Sequence, residues 1–250
     1  MITKTELDKL AKLYETKDFI KDDPIQFPHR YKSKKDIEIA GFIASLVAYG
    51  RRDVFIKKLN ELFNLAQNEP LNFIENFEPK ILGNFNYRFG KPEDFSQIFL
   101  ILKELYNKDG GLEELFKYGY NNKIKDNMFI PVTDYFYSRA KENTTQGFYF
   151  MIPNPQKGGA MKRMCMYLRW LVRKSEVDLG IWDFMPASEL LIPLDTHVAR
   201  ISREMGLLTR NANDFKSVIE ITDNLKKLSP EDPIKYDFAL FGWGVNNTKN

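Results

Sequence analysis

Apolar residues recur along this chain mostly at helical spacing. Leu7, Leu10, Ala11 and Tyr14 fall at i, i+3, i+4 and i+7, one face of an opening helix. Residues 22–36 are polar and proline-containing and predict a loop. From Ile37 to Ala48 the chain is apolar almost all round, which predicts a helix at the centre of an all-α domain. That pattern stops at Tyr49-Gly50-Arg51-Arg52, and a second helix is predicted from about Asp53. Amphipathic spacing over residues 54–67 and 95–106 predicts two more segments of helix. Residues 108–127 are rich in glycine and asparagine around a short helix, and Thr133 to Lys141 predicts another. Pro153 to Gly159 reads as a turn. Val198, Ile201 and Met205 line a helix that should stop at Gly206. Asp214 to Leu228 and Lys235 to Val245 predict the last two helices. No sustained strand alternation and no repeat interrupts this pattern, so the predicted fold class is all-α. Residues 1–250 are read as a single unit of one or two helical lobes.

Composition narrows the chemistry. A content of 43% hydrophobic and 28% charged residues is that of an ordinary soluble domain. The single cysteine excludes an intrachain disulfide and a cysteine-ligated cluster, and two histidines disfavour a multi-histidine metal site. The start, Met1 to Glu6, does not read as a signal peptide, and no apolar run approaches the ~20 residues of a membrane helix. A cytoplasmic protein is expected. The net charge of +3 does not by itself demand an anionic partner, but its distribution is uneven. Between Gln156 and Lys174 stand six basic residues (Lys157, Lys162, Arg163, Arg169, Arg173 and Lys174) and no acid. Such a patch is what a nucleic-acid binder carries.

Two segments bear the candidate chemistry. In Gly158-Gly159-Ala160-Met161-Lys162-Arg163 a lysine follows a glycine turn at the mouth of a helix. The glycines permit positive φ and close backbone approach, and free N–H groups at a helix start can bind phosphate. On a helix from Ala160, steps of 7 and 11 put Lys162, Arg169 and Arg173 on one face, opposite Met164, Leu168 and Leu171. The basic row is therefore expected to face away from the core. The bland alternative is a solvated surface face with no partner. In Pro193-Leu194-Asp195-Thr196-His197 a carboxylate opens the next helix, 33 positions after the lysine (195 − 162). The bland alternative is that Asp195 or Thr196 is a helix N-cap worth roughly 1 kcal/mol, and for His197 a packed or hydrogen-bonded side chain. Together an amine and a carboxylate suit a glycosidic carbon. The amine attacks to form a Schiff base, and the carboxylate stabilises an oxocarbenium-like centre.

These segments resemble the helix-hairpin-helix DNA glycosylase superfamily, which includes endonuclease III and the 8-oxoguanine glycosylases. Gly158-Gly159-Ala160-Met161-Lys162 is similar to its glycine-rich hairpin and Schiff-base lysine. Leu194-Asp195-Thr196-His197-Val198-Ala199-Arg200 resembles its V-D-T-H-x-x-R signature, the specific part of the match. Ile43 to Arg52 resembles the central helix and its DNA-facing turn, and Pro230 to Val245 the helix after the signature. The chain as a whole also resembles a bacterial family built on this scaffold. Gln156-Lys157-Gly158-Gly159 replaces the usual L-P-G-V-G, so Lys157 and Arg163 are alternative occupants of the lysine position. The spacing of 33 is similar to that of the archaeal 8-oxoguanine glycosylase branch.

The resemblance implies a multi-helix protein with an active-site cleft between two helical lobes. It implies a DNA repair glycosylase, with AP-lyase activity, that excises a damaged base such as an oxidised purine. Lys162 and Asp195 would be catalytic. Gly158, Gly159, Arg163, Arg169, Arg173, Tyr49, Arg51, Arg52 and His197 would bind DNA. The partner would be double-stranded DNA with a flipped damaged base, bound by a monomer without metal or organic cofactor. The rival expectations are a non-catalytic nucleic-acid binder on the same scaffold and an all-α protein-interaction module.

Overall fold

A computed structural model describes residues 2–142 and 144–246. Met1, where the reading of the chain's start begins, and residues 247–250 of the expected 1–250 unit lie outside the described residues. Helices follow one another as α1 (Lys4–Tyr14), α2 (Lys17–Ile20), α3 (Lys34–Val47), α4 (Arg52–Leu65), α5 (Pro70–Glu75), α6 (Pro92–Lys108) and α7 (Leu112–Asn121). Then come α8 (Phe129–Tyr137), α9 (Gln146–Met151), α10 (Lys162–Val172), α11 (Thr196–Glu204), α12 (Phe215–Leu228) and α13 (Asp237–Asn246). Among the described residues the regular elements are all helical, and no helix is long and apolar enough to cross a membrane. The chain divides into two compact units, residues 24–156 and residues 1–23 with 157–250.

The unit of residues 24–156 is built around α3. Every residue of α3 from Ile37 to Val47 is buried, as its all-round apolarity predicts. Phe73, Phe77 and Phe99 meet edge to face, with ring centroids 5.2–5.5 Å apart, where α5 packs on α6. The Asp94 carboxylate is fully buried. It accepts from the Lys91 N–H (3.0 Å) and from the Thr145 N–H (3.1 Å), which ties the start of α6 to the start of α9.

Two local expectations change in this unit. Residues 22–36 are not a polar surface loop. Two 3-10 turns, Pro24–Gln26 and Pro28–Arg30, bury Ile25, Phe27 and Pro28, and Phe27 stacks on Phe63 at 5.1 Å. The helix expected from Thr133 to Lys141 begins at Phe129 and ends at Tyr137. Pro131 lies in its first turn, where the missing N–H has no helical partner to lose. Helices α5 and α9 have 6 residues each, too short to show a period.

In the other unit, α13 packs against α1 and α11. Gly242 allows the closest approach: a Cβ there would lie 2.3 Å from Cγ of Tyr14. Helix α10 is buried from Met164 to Val172, on all its faces. Arg169 of that helix and Arg173, which caps its end, are each only 4% exposed, which corrects the expectation of a basic row facing solvent. The chain reverses after α10 through a bridge between Lys174 and Leu179 and returns Asp178 to that helix. Asp178 then accepts from Arg169 Nε (3.1 Å) and from a terminal nitrogen of Arg173 (2.9 Å). Asp237 is the second carboxylate on Arg169. Glu15 and Asp232 complete the surroundings of Arg173. Burial opposes the charge on both guanidiniums, but the carboxylates outweigh it and hold them more firmly protonated than usual.

Candidate active site at two helix openings

Lys162 is the first residue of α10, and Asp195 is the residue that caps α11. Their separation in sequence closes to 3.2 Å between Lys162 Nζ and Asp195 Oδ2. The two oxygens of Asp195 divide their work: Oδ1 accepts the Val198 N–H at 2.9 Å, and Oδ2 faces the amine. One carboxylate thus both caps a helix and faces an amine. The Lys162 side chain is 34% exposed and that of Asp195 16%, so the pair is partly reachable from solvent.

Backbone contacts hold the two openings together. Gly158 has φ 77°, a conformation that glycine adopts without strain, and its carbonyl accepts the Phe215 N–H at 2.9 Å. Gly159 forms a bridge with Asp214, the cap of α12. Arg203, near the end of α11, donates to the carbonyls of Arg210 and Asn211 at 2.8 Å each. Arg210 in turn pairs with Asp214 at 2.6 Å. The lysine turn therefore rests on the start of α12, and the start of α12 rests on the helix that Asp195 caps. Helix α11 ends at Glu204 with Met205 as its cap, and Gly206, the predicted stop, follows with φ 76°. The Leu207 N–H bonds the Ser202 carbonyl (2.7 Å) and the Gly206 N–H the Arg203 carbonyl (3.1 Å), the Schellman pattern.

The lysine turn carries two features that cost stability. Met161, buried at 3% exposure, sits at φ 53° and ψ 27°, a left-handed conformation costing a non-glycine residue about 1 kcal/mol. Lys162 and Arg163 put two cations in the first turn of α10, where the helix dipole favours anions, and no acid stands there. Asp195 supplies the missing negative charge from another helix.

The remaining expected site residues are distributed as follows. Gly159 is exposed, and no atom lies within 4 Å of where a Cβ would be. Arg163 is half-buried on α10, and Lys157 is exposed on the turn Pro155–Lys157. His197 lies half-buried on α11, and a Cβ on Gly244 would stand 3.3 Å from its own Cβ. Tyr49, Arg51 and Arg52 belong to the unit of residues 24–156. There Tyr49 donates to the Tyr87 carbonyl (3.0 Å) and packs against Phe150 at 4.8 Å. Arg51 is 81% exposed and pairs with Asp53, and Arg52 is exposed. Arg169 and Arg173, expected to bind DNA, are instead the centre of the buried ion network, because carboxylates remote in sequence converge on them.

Asp237 was not among the expected site residues. It is 5% exposed at the start of α13. Burial pushes its carboxyl up to about 6. Arg169 pulls it down, Asp195 pushes it up and Lys162 pulls it down. In the sequence it is a lone acid opening an apolar helix, and it reads as an ordinary first-turn aspartate. Among the described residues no three His, Cys, Asp or Glu side chains converge as a metal site requires.

The fold and the pair define an all-helical protein with an amine and a carboxylate at facing helix starts. The family described as "Protein of unknown function (DUF2400)" matches residues 23–246, and the chain belongs to that family. No curated protein and no solved structure matches it.

Proposed function

We propose that this protein is a DNA repair glycosylase with AP-lyase activity, acting on a damaged base in duplex DNA, with oxidised purines the first class to test. The observation that carries the reading is the 3.2 Å approach of Lys162 Nζ to Asp195 Oδ2 at two helix openings. A nucleophilic amine needs a partner that orients it and that offsets the cation formed on the sugar. With the base flipped out of the stack, the C1′–N bond breaks and its electron pair leaves with the base. The base takes up a proton. Lys162 Nζ, after giving one proton to the departing base, bonds to C1′ and passes a second to the ring oxygen O4′ as the C1′–O4′ bond breaks, which leaves the protonated Schiff base. Asp195 faces the positive charge throughout. Loss of the C2′ proton then expels the 3′ phosphate.

Phosphate contact is assigned to the turn rather than to the buried arginines. Exposed Lys157, half-exposed Lys162 and the open backbone at Gly159 surround the start of α10. Such contacts position a duplex without reading its sequence. The experiment is borohydride trapping with duplexes carrying an abasic site or single oxidised, alkylated or deaminated bases. A covalent adduct mapped to Lys162 supports the reading. Salt-dependent DNA binding with no adduct and no base release from any duplex would leave a nucleic-acid binder. Absence of DNA binding would overturn both.

A further inference from the structure

The buried ion network holds more acid than its arginines require. Arg169 already has Asp178 at 3.1 Å, and Arg173 has Asp178, Asp232 and Glu15. Asp237 adds a second buried carboxylate to Arg169 at the start of α13, the helix that packs on the one Asp195 caps. Around α13, Arg200 of α11 pairs with Glu204 and donates to the Gly244 carbonyl, His197 of α11 lies against Gly244, and buried Asp23 adds its charge to Arg169. Asp8 of α1 is taken by Lys4 and Lys235, and Tyr236 donates to it. Arg169, Asp195, Lys162 and Asp178 act directly on the Asp237 carboxyl.

We propose that Asp237 is a positioning residue for the Lys162–Asp195 site, a buried carboxylate clamped by Arg169 whose negative charge offsets the cation formed beside that pair. The proposal rests on the glycosylase reading for the identity of that cation. Electrostatic influence is reciprocal, so the charge that Asp195 feels must change when Asp237 takes a proton. That happens in an accessible range, since burial holds the Asp237 carboxyl up at about 6. Asp237 does not touch the DNA in this scheme, and its effect falls on the chemical step.

Two measurements test it. In wild-type protein with 13C-labelled aspartate, the carboxyl resonances of Asp237 and Asp195 are followed from pH 4 to 8. The expected result is an inflection in the Asp195 resonance at the midpoint of Asp237. An Asp195 resonance that passes through that midpoint unmoved overturns the proposal, whatever the protein's reaction proves to be. In single-turnover adduct formation, the wild-type rate should fall as the pH drops through about 6. Asp237→Asn should lower it roughly tenfold at neutral pH, remove that inflection and leave DNA affinity unchanged. Asp178→Asn, a disturbance of the same network, should keep the inflection. An inflection that persists in Asp237→Asn overturns the proposal. If wild type forms no adduct at any pH, the glycosylase reading fails, and the resonance titration still decides whether Asp237 and Asp195 share their charge.

Discussion

Lys162 Nζ lies 3.2 Å from Asp195 Oδ2, while Oδ1 of the same carboxylate holds the first turn of α11 through the Val198 N–H at 2.9 Å. One side chain therefore links the cap of one helix to the amine that opens another, and the cap and the proposed catalytic role separate by substitution. Asp195→Asn retains an oxygen for the cap, because asparagine caps about as well as aspartate. It loses the charge. The expected outcome is a melting temperature and a DNA affinity close to wild type, with single-turnover base release reduced about a hundredfold or more. Equal release from both proteins would reduce Asp195 to a cap.

Lys162→Gln should abolish borohydride-trapped adducts without unfolding the protein. The substitution removes a cation from a helix start, where the dipole disfavours it by roughly 0.3–1 kcal/mol, and leaves Asp195 still capping α11. Thermal unfolding and mass mapping of adducts check both halves. Adducts that survive in the variant move the nucleophile elsewhere, with exposed Lys157 the first position to substitute.

The two glycines of the turn should respond differently. Gly158→Ala forces a side chain onto φ 77° and should cost about 1–2 kcal/mol in urea unfolding. Gly159→Ala meets no atom within 4 Å and should leave stability unchanged. If the backbone there grips a phosphate, the added methyl group weakens duplex binding by itself. Unaltered affinity in Gly159→Ala would remove this turn from the DNA contact.

Arg173→Ala should destabilise the fold by about 3–5 kcal/mol, because it leaves buried Asp178 with Arg169 alone and removes the partner of Glu15 and Asp232. Arg51→Ala, at a side chain 81% exposed, should change stability by less than about 1 kcal/mol. Equilibrium unfolding of both variants checks the contrast. Similar small losses would mean that the network is not held in solution.

Stability should also depend on pH through Asp237. Its folded carboxyl lies at about 6 against an ordinary 3.8, so the folded state binds the extra proton between these values. The stability it contributes is therefore complete below about pH 4, declines as the pH rises through about 6 and is flat above. A shift of about two units corresponds to something on the order of 2–3 kcal/mol. Carboxylates held low, such as Asp214 with its Arg210 hydrogen bond, act with the opposite sign. The quantity to compare is therefore wild type minus Asp237→Asn across that range. A difference that does not vary with pH would refute the assignment.

Much of this protein follows from local rules. The all-helical class, the burial of α3 on every side, the cap at Asp195 and the stop at Gly206 each depend on residues within a few positions of one another. Short-range periodicity and capping chemistry therefore suffice to predict them. The same rules put Lys162, Arg169 and Arg173 on one helix face turned to solvent, yet α10 ends at Val172, Arg173 caps it in extended backbone, and both arginines are buried. What lies opposite a face is decided by segments far away in the chain. Arg169 meets Asp237 across 68 positions, and Arg173 meets Asp232 across 59 and Glu15 across 158. A guanidinium is stable in a core only where carboxylates converge on it, and no local stretch of sequence records that convergence. The pairing of Lys162 with Asp195, the surplus acid at Asp237 and the loss of the basic row are for that reason properties of the tertiary structure alone.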